Sequence, residues 1–141
     1  MSTNSGPRLP LWMPSERRKS SANLTRFTEY VNRTHHLSLN SYRDLYDWSI
    51  VEVDDFWACV WEFAGIRASR SYDAVLDNIN QFPGTKWFPG ARLNFAENLL
   101  RFRDARPALI FRDERGSASS LSYAELYDNV ARLLVPSAHW A

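Results

Sequence analysis

A few residue groups in this chain have the types from which active sites are built, and each would call for a different chemistry. Cys59 is the single thiol. It would attack an electrophile if a neighbouring base or cation lowered its pKa, yet it lies within Phe-Trp-Ala-Cys-Val-Trp, an apolar run that keeps a thiol neutral and favours a packing role. The histidines are His35, His36 and His139. Adjacent residues face different sides of a helix, so His35 and His36 do not converge on one metal ion, and a hydrated helix end is expected for both. Asp54 with Asp55, and Asp113 with Glu114, have the pairing that acid–base catalysis uses, but a helix start and a turn tip explain them as capping and turn residues. The five glycines stand singly, so none opens a phosphate-cradling loop with a lysine and a hydroxyl at fixed offsets. The six tryptophans could stack on sugars or bases, but they sit in apolar periodic contexts without a basic stripe, which points to a core or a docking surface. No residue is assigned a catalytic, cofactor-binding or metal-binding role.

The elements around these residues can be read from caps, periodicity and turn formers. Residues 1–20 read as a flexible tail and lead-in: the first ten are small, polar and interrupted by proline, while Trp12 has the character of a side chain that docks on the fold. Leu24, Phe27 and Val31 recur at helical spacing behind Ser20 or Ser21 as cap, giving a helix over 22–36. Ser41 with Asp44 has capping-box spacing and starts a short helix. The firmest element is a helix over 55–64, with Asp54 capping it, Asp55 favouring the positive end of its dipole and Gly65 stopping it in the left-handed region. Phe56, Val60 and Phe63 lie on one side of it with Trp57, Trp61 and Ala64 beside them, so it needs cover on more than one face. A further helix is expected over about 71–79.

The stretch Lys86–Arg101 reads as a turn feeding a helix. Pro89-Gly90 suits a type II turn with Gly90 at positive φ, and Asn94 with Glu97 caps a helix of about two turns in a reciprocal pattern. From Pro107 a β-prone run, the turn formers Asp113 to Gly116 and a second short run form a hairpin. Ser122 and Glu125 then make a full capping box for a helix carrying Leu126, Val130, Leu133 and Leu134, which Pro136 ends. The fold class is α+β, helices first and then one hairpin and a helix. It divides into a helical segment over 21–101, a hairpin-plus-helix segment over 102–135 and a divergent end over 136–141.

Composition removes several function classes. Seventeen basic and sixteen acidic side chains give a formal charge of +1, so no long-range field gathers nucleic acid or an anionic membrane surface, and neither is expected as a partner. One cysteine excludes an internal disulfide framework and fits a reducing, cytoplasmic compartment. No stretch approaches the roughly 20 apolar residues of a membrane span, and the first twenty residues lack the apolar core of a secretory signal. Arg8, Arg17, Arg18 and Lys19 have the charge of a transit peptide, but Pro7, Pro10 and Pro14 interrupt the amphipathic helix such a peptide needs. The length of 141 residues sets a ceiling of one compact domain.

Tyr46 to Phe63, "YDWSIVEVDDFWACVWEF", followed by "KWFPGARLNFAENLL", resembles the amino-terminal region of short-chain acyl-CoA synthetases, the adenylate-forming ligases. The lead-in "LWMPSERRKSSANLTRF" is most similar to that of the acetoacetate-activating members, and the resemblance runs from about Leu11 to Leu134. It implies a parent reaction joining acetoacetate to coenzyme A with ATP cleaved to AMP and pyrophosphate, in lipid and ketone-body metabolism, with ATP, magnesium and coenzyme A bound by the complete enzyme. It also implies that Pro107–Leu134 is the first hairpin and helix of the AMP-binding α/β domain. The family's phosphate loop, its aromatic-acid motif, its hinge acid and its carboxy-terminal lysine have no counterpart in these residues, so the chain is expected to hold no cofactor and to be inactive alone. Because "VPSAHWA" departs from the family pattern, the chain end is expected to be an early stop, a misassigned exon or a truncated gene, with the acid-selecting pocket beyond Ala141. The expected partner is the remainder of the synthetase or a full-length synthetase. The alternative is a non-catalytic interaction module.

Overall fold

The computed structural model describes residues 11–134. The flexible tail expected over 1–10, the stop at Pro136, the divergent end and His139 lie outside the described residues. The chain divides between Gly65 and Ile66 into two compact units, which are described separately.

The first unit is helical. A one-turn helix α1 (Glu16–Ser20) opens it, with the Ser15 side chain accepting from the Arg18 N–H at 3.4 Å and Lys19 paired to Glu16 at 2.7 Å. Next comes α2 (Asn23–His35), whose cap position is Ala22, with no side-chain cap bond. The expected cap at Ser20 or Ser21 is not made, because α1 engages both hydroxyls: Ser20 Oγ donates to the Arg17 carbonyl at 3.1 Å and Ser21 Oγ to that of Arg18 at 3.4 Å. Trp12 does not dock; it stays 67% exposed, with the Arg18 guanidinium over its ring.

Ser41 caps α3 (Tyr42–Val51) through a complete capping box with Asp44, and the helix runs ten residues. Only Glu52 separates it from α4 (Val53–Ala64). The Glu52 N–H donates to the Trp48 carbonyl at 2.8 Å and its own carbonyl accepts from Phe56 at 2.9 Å, so one residue ends one helix and starts the next. Asp54 is therefore inside the first turn of α4 and is not its cap, while Gly65 takes the left-handed stop at φ 61°. Phe27, Val31, Leu45 and Cys59 form the core, with Trp48, Phe56 and Phe63 packed against it. Phe27 meets Phe56 and Phe63 edge to face at 5.7 and 5.2 Å, the arrangement that ring quadrupoles favour.

In the second unit, the helix expected over 71–79 does not form. The backbone of this stretch pairs across the chain instead: Asp73 donates to the Pro89 carbonyl at 2.9 Å, Asp77 to that of Lys86 at 3.2 Å, and the Val75 carbonyl accepts from Phe88 at 2.6 Å. Antiparallel bridges Arg70 to Arg92 and Leu76 to Trp87 complete this irregular ladder, and Val75 is buried beneath it. The turn at Pro89-Gly90 is present, with Gly90 at φ 85° and the Ala91 N–H bonded to the Phe88 carbonyl at 3.1 Å.

Helix α5 (Phe95–Leu99) is five residues, shorter than the two turns expected. Asn94 accepts from the Glu97 N–H at 3.2 Å, which is one half of the reciprocal cap. Beyond it, β1 (Pro107–Arg112) and β2 (Ala118–Ser122) pair antiparallel, with Ile110 opposite Ser120. Asp113 accepts from the N–H groups of Arg115 and Ser117 at 3.0 and 2.7 Å and closes the turn between them. Finally α6 (Tyr123–Leu134) starts from the Ser122–Glu125 capping box, whose two backbone bonds measure 2.8 and 3.3 Å.

Candidate functional site

Among the described residues, thiol, imidazole and carboxylate side chains converge at the joint between α2 and α4. Three amphipathic helices close on one core there, and the last turn of α2 lays the His35 ring against α4. Asp55 and Cys59 stand one helical turn apart on α4, on the face that meets it. His35 Nε2 is 3.2 Å from Cys59 Sγ and Nδ1 is 3.7 Å from Asp55 Oδ2. The Trp48 ring of α3 covers the imidazole at 5.2 Å between centroids.

Thiol, imidazole and carboxylate in that order are the parts of an activated cysteine nucleophile, but the surroundings oppose the chemistry. Cys59 is 3% exposed, so an electrophile has no approach. Burial, and secondarily the negative charge of Asp55, push its thiol pKa up, whereas a working nucleophile needs it lowered. The arrangement holds α2 on α4 through a neutral thiol, and Cys59 is packing, as its apolar flanks predict. His35 is not the hydrated helix end expected of it, since its side chain is only 25% exposed. His36 separates from it as expected, adopting the left-handed conformation that ends α2. The Asp55 and Cys59 spacing of four was the available signal, but nothing in the sequence said which histidine would face it.

The second candidate is the stretch Lys86–Arg101. Asn98 holds it to the chain ahead, accepting from the Arg67 N–H and donating to the Arg67 carbonyl, both at 2.8 Å. Asp73, held by Arg70 at 3.1 Å, packs so closely on the Pro-Gly turn that a Cβ on Gly90 would lie 2.2 Å from its carboxylate. These bonds are internal to the scaffold. An apolar groove of about 380 Å³ opens in the first unit between α2, α3 and α4, lined by Leu24, Tyr42, Tyr46, Phe56, Val60 and Phe63.

Among the described residues no group of three His, Cys, Asp or Glu side chains is placed to hold a metal ion.

Residues 42–99, spanning α3 to α5, match the family model described as the acetyl-coenzyme A synthetase N-terminus. Over this segment the chain is similar to that family. Similarity to acyl-CoA synthetases extends well beyond the family segment. The chain is 37% identical over 126 residues to an acetoacetyl-CoA synthetase of Danio rerio, covering 86% of this chain and 18% of that protein. It is 40% identical over 124 residues to the acetoacetyl-CoA synthetase of Rattus norvegicus, with the same coverage. A malonamoyl-CoA synthetase of Penicillium aethiopicum is 39% identical over 129 residues, covering 86% and 18% of the two chains. Among solved structures, acetoacetyl-CoA synthetase from Streptomyces lividans superposes with a TM-score of 0.79 at 38% identity, covering 89% of this chain and 20% of that one. The chain thus spans about a fifth of the length of the synthetases it matches. The helices, the two-stranded antiparallel hairpin and the helix after it make an α+β piece of the acyl-CoA synthetase fold.

Proposed function

We propose that this chain is the amino-terminal part of an ATP-dependent acid–CoA ligase that activates acetoacetate, forming acetoacetyl-CoA, AMP and pyrophosphate. The observation that carries the reading is the likeness to acetoacetyl-CoA synthetases over most of the chain, in sequence and in structure. The likeness to a malonamoyl-CoA synthetase at similar identity supports placing the acid-selecting pocket outside this span. We assign residues 21–101 to the synthetase N-terminal domain and 102–135 to the start of the AMP-binding domain. The role of these residues is scaffolding: ATP, magnesium and coenzyme A are held by other parts of the ligase, and the 141 residues alone catalyse neither half-reaction. A cytoplasmic setting and a place in lipid and ketone-body metabolism belong to the same proposal. No helix among the described residues is long and apolar enough to cross a membrane.

The test is complementation. The chain is mixed with a ligase lacking the corresponding fifth, and acetoacetate-dependent pyrophosphate release is followed. Activity in the mixture and none in the chain alone is expected; turnover by the pure chain, or a mixture silent with every short acid tried, would overturn the reading.

The apolar groove between α2, α3 and α4 favours a second reading, in which the chain is a non-catalytic module that docks on a full-length synthetase. Size-exclusion chromatography of the two together separates the readings, since a docking module must co-elute with the intact enzyme.

A further inference from the structure

Arg17, Arg18 and Lys19 are three consecutive cations standing directly before Ser20 and Ser21, and all five side chains are exposed. The proposed ligase function leaves this run unexplained. Lys19 is engaged by Glu16 at 2.7 Å, and Arg18 lies over the Trp12 ring at 6.0 Å. The two serine hydroxyls make only local bonds to exposed carbonyls, and that of Ser21, at 3.4 Å, is at the long limit of a hydrogen bond and exchanges readily with water. Helix α1 is five residues long, so the segment opens into an extended form at little cost.

We propose that Ser21 is a phosphorylation site for a protein kinase with an acidic substrate groove. Arg17, Arg18 and Lys19 supply the charge such a groove selects. In the step, Ser21 Oγ bonds to the γ-phosphorus of ATP as the bond from that phosphorus to the β–γ bridging oxygen breaks. ADP leaves with the bonding pair, and the hydroxyl proton passes to the base of the kinase. Ser21 is preferred to Ser20 because the Ser20 hydroxyl is held more firmly, donating to the Arg17 carbonyl at 3.1 Å, while that of Ser21 reaches the Arg18 carbonyl only at 3.4 Å. Ser21 instead precedes α2, which has no side-chain cap bond and no acid in its first turn. A phosphate there is within reach of Arg17 and Arg18 one turn back and orders the start of α2.

The full chain is incubated with a basic-directed serine kinase and ATP, and phosphate is located by intact mass and peptide mapping. One phosphate on Ser21 is expected in the wild type and in Ser20→Ala, and none in Ser21→Ala. The double substitution Arg17→Gln with Arg18→Gln is expected to lower the rate at least about tenfold, with the far-ultraviolet circular dichroism of every variant unchanged. The phosphorylated chain is expected to melt at a higher temperature than the unmodified one. No incorporation, phosphate confined to Ser20, or a rate indifferent to the two arginines would each overturn the proposal.

Discussion

His35 binds on both sides of its ring, to Asp55 through Nδ1 and to Cys59 through Nε2, so three residues on two helices share one small network. Removing the ring takes away both partners and opens a void beneath Trp48. His35→Ala is expected to lower stability by about 2–3 kcal/mol, and Cys59→Ala by about 1 kcal/mol, since only a small group leaves the core. Urea denaturation followed by tryptophan fluorescence reads both, and the double variant should lose less than the sum, because the pair is in contact. Glycines give a second contrast at this scale. Gly90 and Gly116 have nearly equal φ, 85° and 83°, but a Cβ on Gly90 strikes Asp73 while that on Gly116 meets nothing within 4 Å. Gly116→Ala is expected to cost about 1 kcal/mol from backbone strain alone, and Gly90→Ala clearly more; thermal melts of the two variants measure the difference.

Two of the three reciprocal caps anticipated from the sequence are complete, Ser41 with Asp44 and Ser122 with Glu125. In each the carboxylate accepts from nearby backbone N–H groups, first from Asn40 for Asp44 and first from Ser122 for Glu125, and in each this holds the pKa below its ordinary value. A carboxyl whose folded pKa is depressed contributes stability that is fully present above its unfolded pKa, near 4, and is lost as pH falls through the lower folded pKa. The helix signal of α3 and α6 should therefore be flat through neutral pH and fall only on acidification below about 4. Ser122→Ala should cost α6 about 1 kcal/mol, seen as a lower melting temperature. These elements were legible because their instructions are local: a cap, a periodic stripe, a glycine stop. The helix read over 71–79 failed for the opposite reason. Its pattern was real, but the backbone of Asp73, Val75 and Asp77 finds partners at Lys86, Phe88 and Pro89, and long-range pairing overrode a weak local preference. The paired amide of Asn98 and the Arg67 backbone, 31 positions apart, is equally invisible to a local reading. So is the choice of His35 over His36 against α4.

Among the described residues, burial is scarce. Phe27, Val31, Leu45, Cys59 and Val75 are the buried hydrophobics among the described residues, while Ile50, Val51, Ile110 and Phe111 are more than half exposed. A chain with so little apolar surface removed from water has a small stability margin and offers sticky faces. The isolated chain is expected to bind an apolar dye, and adding the remainder of the proposed ligase should displace the dye and raise the melting temperature. Fluorescence titration of one against the other checks both. One feature makes this assembly easy to time. The molecule has a single sulfhydryl, and that sulfhydryl is sealed between α2 and α4. Its labelling rate by a coloured thiol reagent is a clock built into the first unit, ticking only when those helices part. No probe has to be engineered, and slowing of the clock would report, second by second, the arrival of any surface that holds those helices together.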